Sequence, residues 1–174
     1  MAIKLSSIIA LSLVYISISS AQQLKYPKPC DCKLEGILVA TDSIGIKVYS
    51  TPKGKIVDHL VSVSDEDKLV LGIVGHKAGW IKINYDSTNY GWIKSDLIGT
   101  WTNPDNVVLH IKPDLNSKII ASLDKEGYSD QFVLIYGCWR GWAYVKATDS
   151  KGKTVYGWLD PKHQCSNPYT SCGN

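Results

Sequence analysis

The chain has 174 residues, 44% of them hydrophobic and 20% charged, and its formal net charge of +3 comes from 19 basic and 16 acidic side chains. The basic residues are spread along the chain, whereas nucleic-acid binding needs clustered cations that neutralise phosphates. Composition and charge therefore exclude a nucleic-acid partner, and the length fits one ordinary domain or two small ones.

The first 21 residues have the features of a secretory signal peptide. Lys4 precedes an apolar run that extends from Leu5 to Ile18, and small residues follow up to Ala21. An uncleaved membrane anchor is less favoured, because the run contains serines and is shorter than the roughly 20 apolar residues that a span needs. We expect cleavage after Ala21 and a soluble mature protein, exported to the periplasm or secreted, that has no membrane partner.

Short apolar strands separated by turns follow a proline-containing arm. Residues 22–36 hold two prolines and no hydrophobic periodicity, so they are predicted to be an N-terminal arm. Residues 37–40, 46–49 and 68–74 have strand patterns, while 55–63 fits a strand pair or a short helical turn. Because turns recur and no long amphipathic helix is present, the sequence predicts an all-β fold of small barrels.

A hairpin bounded by two Gly-Trp steps occupies residues 79–99. Strand-forming residues flank the polar stretch 86–89, whose side chains favour a turn because they hydrogen-bond the nearby backbone. A second tight turn is predicted at 95–97. Another copy of this hairpin begins at Gly141.

The whole unit occurs twice. Trp80 aligns with Trp142, and the offset between matching residues stays between 61 and 66 throughout. Such constancy indicates a duplication, so we predict one domain over 37–101 and a second over 102–164. Only the segment 100–105 separates them, which predicts two units packed side by side.

Five cysteines in an exported chain predict disulfides, with one cysteine left over. Cys138 lies alone inside the second unit and is expected to be an unpaired or structural thiol. A local loop in the tail 165–174 and cross-links between arm and tail both remain open. A zinc site is disfavoured, because the terminal cysteines lack Cys-x-x-Cys spacing. The candidate disulfide cysteines are Cys30, Cys32, Cys165 and Cys172.

Three segments of the first unit carry a family resemblance. Residues 46–52 (IKVYSTP), 79–83 (GWIKI) and 91–97 (GWIKSDL) resemble the opening, middle and close of the bacterial SH3-like (SH3b) domain pattern. The resemblance covers residues 38–164 in two ordered copies.

The resemblance implies two tandem SH3-like barrels of about five strands each, whose loops frame an aromatic groove. Family members have no catalytic machinery of their own and bind cell-wall peptides, other proteins or occasionally metals. Two departures concern ligand contacts. Tyr49 and His110 stand where the family often has Arg, and Thr51 and Lys112 stand where it often has Gly.

Catalytic and metal chemistry have few candidate groups. Arg140 is close enough in sequence to lower the pKa of a Cys138 thiol, but the residue aligned with Cys138 is His76, so this position is interpreted as a variable loop. The four histidines lack metal-ligand spacing and are expected to be solvated or partly buried. We therefore predict no catalytic residue, metal or cofactor, with a Cys138 thiol enzyme as a third hypothesis.

Aromatic side chains supply the candidate binding surface, since they contribute much binding energy at low entropic cost. Trp92 and Trp158 are expected in the core, whereas Trp80 and Trp142 are expected to line grooves. The candidate partner-binding residues are Tyr49, Trp80, Tyr85, Trp101, His110, Trp139, Trp142 and Tyr144.

Two functions fit these observations. The first is a non-enzymatic exported protein that binds a peptide or protein partner in the bacterial envelope, one variant being recognition of peptidoglycan stem peptides. Wall-binding repeats usually deliver a catalytic domain, and none is expected here. The alternative is therefore a periplasmic immunity protein or inhibitor that neutralises an exported toxin or cell-wall hydrolase.

Overall fold

The computed structural model describes residues 32–39, 44–61, 68–103, 105–124 and 130–166. Within these ranges the chain forms thirteen strands and two short 3₁₀ helices, and no α-helix. The predicted all-β class is confirmed. The predicted signal peptide lies outside the described residues, and no helix among the described ones is long and apolar enough to cross a membrane.

Six strands form in the first half of the chain. The segment 55–63, which fitted two interpretations, contains a strand. The first strand begins inside the predicted arm, three residues before position 37. The hairpin around 86–89 and the turn that follows it are present, the latter as the 3₁₀ helix Ser95–Leu97. The strands are β1 (Leu34–Leu38), β2 (Ile46–Tyr49), β3 (Ile56–Leu60), β4 (Val70–Lys77), β5 (Trp80–Asn84) and β6 (Tyr90–Lys94).

The second half repeats this succession, including a 3₁₀ helix, Pro161–His163, before its last strand. Its helix is capped by Asp160, whose carboxylate accepts the Lys162 backbone N–H at 2.9 Å. The strands are β7 (Ile98–Thr102), β8 (Val108–His110), β9 (Ile119–Ser122), β10 (Phe132–Trp139), β11 (Trp142–Thr148), β12 (Thr154–Leu159) and β13 (Gln164–Cys165).

All thirteen strands belong to one antiparallel sheet. Its order is β3-β2-β6-β5-β4-β1-β7-β10-β11-β12-β8-β9, with β13 attached beside β7. The order on one side of the β1/β7 pair mirrors the order on the other, since β7 to β12 occupy the places that β1 to β6 occupy. The duplication predicted from the sequence is therefore visible in the strand order.

Irregularities in strand pairing are repeated as well. A register shift between Ile73 and Gly75 in β4 has its counterpart between Ile135 and Gly137 in β10. β2 and β8 each carry a shift at their last residue, Tyr49 in one and His110 in the other. Bulges bend a strand at a fixed place, so both halves curve in the same way.

Strand β7 belongs to both halves. On one side Ile98 and Gly99 pair with β1, and Trp101 and Thr102 pair with β13; on the other side β7 pairs with β10. Residues 100–105 were predicted to be a connector, and this prediction is wrong for 100–102, which lie in β7. A local pattern gives no sign that one strand closes the first unit and opens the second.

The hydrophobic core is continuous across the halves. A single cluster contains fully buried residues of both, including the equivalent pair Ile73 and Ile135. Two separate barrels are thus not confirmed. The domain boundary at residue 101 stays a prediction, and β7 extends across that position.

Two-residue turns join β4 to β5 and β10 to β11. Ala78 and Gly79 have φ of 40° and 82°, and Arg140 and Gly141 have φ of 46° and 85°. Consecutive positive φ angles match the right-handed twist of paired strands. The aligned position of His76 and Cys138 was interpreted as a variable loop, and this is wrong, because β4 continues through Lys77 and β10 through Trp139.

Candidate functional site

The structure brings four of the predicted binding residues together in two equivalent pairs. Tyr49 and Trp80 meet edge to face with ring centroids 5.1 Å apart, and His110 and Trp142 do so at 5.5 Å. In each pair the first residue ends the second strand of its unit, and the second residue opens the strand after the two-residue turn. The repeat thus builds the same aromatic contact twice.

These pairs present little surface to a ligand. Trp80 is 5% exposed and His110 is 4% exposed, while Tyr49 and Trp142 are partly buried. The Lys94 ammonium lies 4.4 Å from the centroid of the Trp80 ring, so it covers part of the face that remains. A partner-binding role for the pairs stays a prediction, with Tyr49 and Trp142 offering the accessible edges.

Two further aromatic candidates lie in pairs with residues that were not predicted as site residues. Trp101 packs against Phe132 at 5.7 Å, and its buried indole N–H has no hydrogen-bond partner in the described part of the chain. Tyr144 contacts Trp158 at 5.3 Å. Trp158 is buried, as expected of a core residue, whereas Trp92 is only partly buried.

Trp139 is the most accessible of the predicted tryptophans. It is 39% exposed at the end of β10, and the Arg140 guanidinium lies 5.6 Å from its ring centroid. The aligned residue of the first unit is Lys77, so this exposed Trp-Arg tip exists in the second half alone.

Two tyrosines have raised pKa values. Burial, with the charges of Asp58 and Asp86 adding to it, raises the pKa of Tyr85. Burial and the neighbouring Tyr156 raise that of Tyr144. Both phenols are therefore neutral at physiological pH.

Exposed aliphatic side chains gather on two equivalent hairpins, β2–β3 and β8–β9. They account for eight of the eleven large hydrophobic residues that are exposed in the described ranges. We call these hairpins, with the residues that flank and join their strands, the apolar hairpins. Their exposed residues are Ile44, Ile56, Val57 and Val61 in the first, and Ile111, Leu115, Ile119 and Ile120 in the second.

Sequence reasoning missed the apolar hairpins. The available signal was the doublet Ile56-Val57, matched by Ile119-Ile120, because adjacent residues of a strand point to opposite faces and one of two apolar neighbours then faces solvent. The structure places the doublets in β3 and β9, which stand at the two ends of the strand order.

Cys138 is paired rather than left over. It forms a disulfide with Cys32, 106 residues away, which fastens the segment before β1 to the second half. Cys32 is therefore not cross-linked to the C-terminal tail, and Cys138 is not the cysteine left over. Cys165 is disulfide-bonded too, and because Cys30 and Cys172 lie outside the described residues, its two predicted connectivities stay open.

His76 lies against this disulfide. It is 1% exposed, so the expectation of a solvated or partly buried ring is wrong here. Its Nδ1 atom accepts the Cys138 backbone N–H at 3.3 Å, and it lies 3.6 Å from Cys138 Sγ and 3.8 Å from Cys32 Sγ. Because an N–H donates to Nδ1, the neutral ring is protonated on Nε2, and the single lone pair of Nδ1 accepts the Cys138 N–H beside the sulfur atoms.

Two other histidines are buried, again contrary to expectation. His110 and His163 are 4% and 9% exposed. Burial, assisted by the positive charge of Lys162, lowers the pKa of His163, against the opposing pull of Asp160 and Asp124. His163 is therefore neutral at physiological pH.

Comparisons with known proteins leave the family open. No family model and no curated protein matches the sequence. Among solved structures, NlpC2 from Trichomonas vaginalis is similar at 18% identity over 76% of this chain, with a TM-score of 0.34. The chain spans 48% of that protein. What the fold and site define is a duplicated all-β protein with exposed apolar edge hairpins.

Proposed function

We propose that this is an exported, non-enzymatic protein whose apolar hairpins bind an extended apolar segment of a protein partner in the bacterial envelope. The observation that carries the proposal is the repetition of the same exposed aliphatic strand in both halves. Ile56 and Ile119 occupy equivalent places beside the β2 and β8 bulges, and they are 45% and 54% exposed.

Clustered exposed aliphatic residues favour a docking surface. Large hydrophobic side chains occur singly on most protein surfaces, whereas concentrations of them mark interaction sites. Fully burying one aliphatic side chain contributes about 1.5–3 kcal/mol, so completing the burial of a half-exposed one contributes about 1 kcal/mol. The four such residues of one hairpin together contribute about 4 kcal/mol, which is less than the roughly 8 kcal/mol of micromolar binding, so the backbone hydrogen bonds of an added strand must supply much of the affinity.

The position of these strands suits an extended partner. β3 and β9 each have one neighbouring strand in the described sheet, so their outer edges are accessible to an added strand. At the end of β9, the Ser122 carbonyl accepts the Ser150 N–H at 3.0 Å, which leaves Ile119 to Ala121 as the accessible part. Natural edge strands are often protected by lysine or proline, and neither occurs within β3 or β9.

The repeated strand order supports the finer proposal of two SH3-like units. Each unit has a two-strand hairpin attached to a meander of three strands, then a 3₁₀ helix and a closing strand. In this proposal β7 is the closing strand of the first unit and the opening strand of the second.

A protein partner is favoured over a peptidoglycan stem peptide. Stem peptides are short and polar, and their binding would rely on the aromatic pairs, where Trp80 is almost fully buried beneath Lys94. An inhibitor or immunity protein needs an apolar docking surface and no reactive group. Cys138 is held in a disulfide and is no free nucleophile in this state.

Selection of peptides from a displayed random library tests the proposal, alongside retention on purified sacculi. We expect enriched peptides with alternating apolar residues and no retention on sacculi. Binding should be lost in Ile56→Asp with Ile119→Asp, and kept in Thr154→Asp, which adds the same charge to an exposed position of β12. Circular dichroism verifies folding.

Retention on sacculi that Trp80→Ala with Trp142→Ala abolishes, while the hairpin variants retain it, would overturn the proposal and favour wall binding. A library that yields no binders would overturn it as well.

A further inference from the structure

We propose that Cys32, His76 and Cys138 form a zinc site when the Cys32–Cys138 disulfide is reduced. The disulfide and the metal would then be alternative cross-links between the segment before β1 and the second half of the chain. The three residues form the one group of three metal-type ligands found among the described residues, and their ligand atoms lie within 4.8 Å of one another. All three side chains are buried. This inference is independent of the partner-binding surface.

The distances fit a tetrahedral ion. With Zn–S of about 2.3 Å and Zn–N of about 2.05 Å, two ligand atoms at a tetrahedral angle lie about 3.6 Å apart. His76 Nδ1 already lies 3.6 Å and 3.8 Å from the sulfur atoms of Cys138 and Cys32. The sulfurs must separate, from about 2.04 Å in the bond to about 3.8 Å on the metal, and the Cys138 N–H must give up its hydrogen bond to Nδ1. Cys32 lies two residues before β1 and can take up this shift.

The imidazole presents its unprotonated nitrogen to the sulfurs. The Cys138 backbone N–H donates to Nδ1, so Nδ1 carries no proton, and a bound ion would replace this N–H as the partner of its single lone pair. His76 comes from β4 and Cys138 from the equivalent place in β10, so the site would join the two halves.

Charge selects the ion. Two thiolates and a neutral imidazole carry two negative charges, which a divalent ion cancels and a monovalent one does not. Because all three groups are at most 4% exposed, a site with no net charge is strongly favoured. Zinc also accepts this mixture of thiolate and imidazole ligands.

A dithiol would supply the electrons that reduce the Cys32–Cys138 disulfide. The protein disulfide takes two electrons and two protons from the dithiol, which becomes a disulfide, and the S–S bond is replaced by two S–H groups. Binding of one Zn²⁺ then releases these two protons.

Cobalt substitution in the full chain tests the site. Reduced protein, freed of dithiol without oxygen, should bind Co²⁺ with thiolate-to-cobalt charge-transfer absorption, and Zn²⁺ should displace it; oxidised protein should show neither. His76→Asn should weaken Co²⁺ binding at least tenfold and change the visible spectrum. Cys165→Ser should retain both, because it removes a cysteine of the other disulfide.

Equal affinity and an identical spectrum in His76→Asn would overturn the proposal, since the metal would then lie on other thiols. So would absence of binding by the reduced wild type. If reduction unfolds the chain and Zn²⁺ does not restore the folded circular dichroism spectrum, the proposal is also wrong.

Discussion

Removal of the Cys32–Cys138 disulfide should cost a large part of the folding free energy. The bond spans 106 residues, and closing a loop of about 100 residues in the unfolded chain corresponds to about 4.7 kcal/mol in the chain-entropy model. Domains of this size are stable by about 5–15 kcal/mol. We therefore expect Cys32→Ala with Cys138→Ala to lower the free energy of unfolding by about 3–5 kcal/mol.

Urea unfolding followed by tryptophan fluorescence measures this loss. With a slope of about 2 kcal/mol per molar urea, the midpoint should fall by about 2 M. Substitution is preferable to reduction, because a reductant would also open the disulfide of Cys165. The lost sulfur volume adds less than about 1 kcal/mol. A total loss below about 1 kcal/mol would refute this chain-entropy argument and show that the segments around Cys32 and Cys138 are held together without the disulfide.

Further predictions concern the shared strand and two side chains. Gly99→Ala should lower the free energy of urea unfolding by about 1–3 kcal/mol, because the added Cβ would overlap the Val133 carbonyl oxygen and the Phe132 ring. Gly72→Ala is the control and should be nearly neutral, since its Cβ would make an ordinary contact at 3.6 Å. Equal effects of the two substitutions would contradict the crowding around Gly99 in β7. Since the pKa of His163 is lowered on folding, the unfolded chain takes up the proton first as pH falls below about 6.5, so stability should fall with it. His163→Asn should flatten this decline between about pH 7.5 and pH 5.5, and an unchanged slope of midpoint against pH would contradict the assignment.

Local patterns in the sequence were sufficient to predict many of the strands and the repeat. Alternating apolar residues in β5 and β6 and the polar stretch 86–89 specify a hairpin by themselves, because their pairing is between near neighbours. The constant offset between the two copies likewise needs only the sequence. The repeated bulges and mirrored strand order give this duplication a structural form.

The way the halves join could not be predicted. β7 pairs with β1, β10 and β13, and such distant pairing leaves no periodic signal within residues 98–102. The partner of Cys138 lies in a segment interpreted as an arm, and the position of His76 was interpreted as a loop although it lies in β4 directly after the register shift at Gly75. Tertiary pairing overrode local preference at each of these positions.

The apolar hairpins were missed for a related reason. Aliphatic residues in a predicted strand are taken as core, yet β3 and β9 are edge strands and expose both faces of their apolar doublets. Whether a strand lies at an edge depends on the order of the whole sheet, which no single segment encodes.

Calorimetric titration with a library-selected peptide tests most directly the claim that the apolar hairpins are the docking surface. The affinity is measured for the wild type, Ile56→Asp, Ile119→Asp, the double variant and Thr154→Asp. Each single variant places a charge in a buried apolar contact, so it should bind the peptide more than tenfold more weakly than the wild type does. The double variant should not bind. Thr154→Asp should bind like the wild type. Unchanged affinity in the folded double variant would contradict the claim that these hairpins are the docking surface.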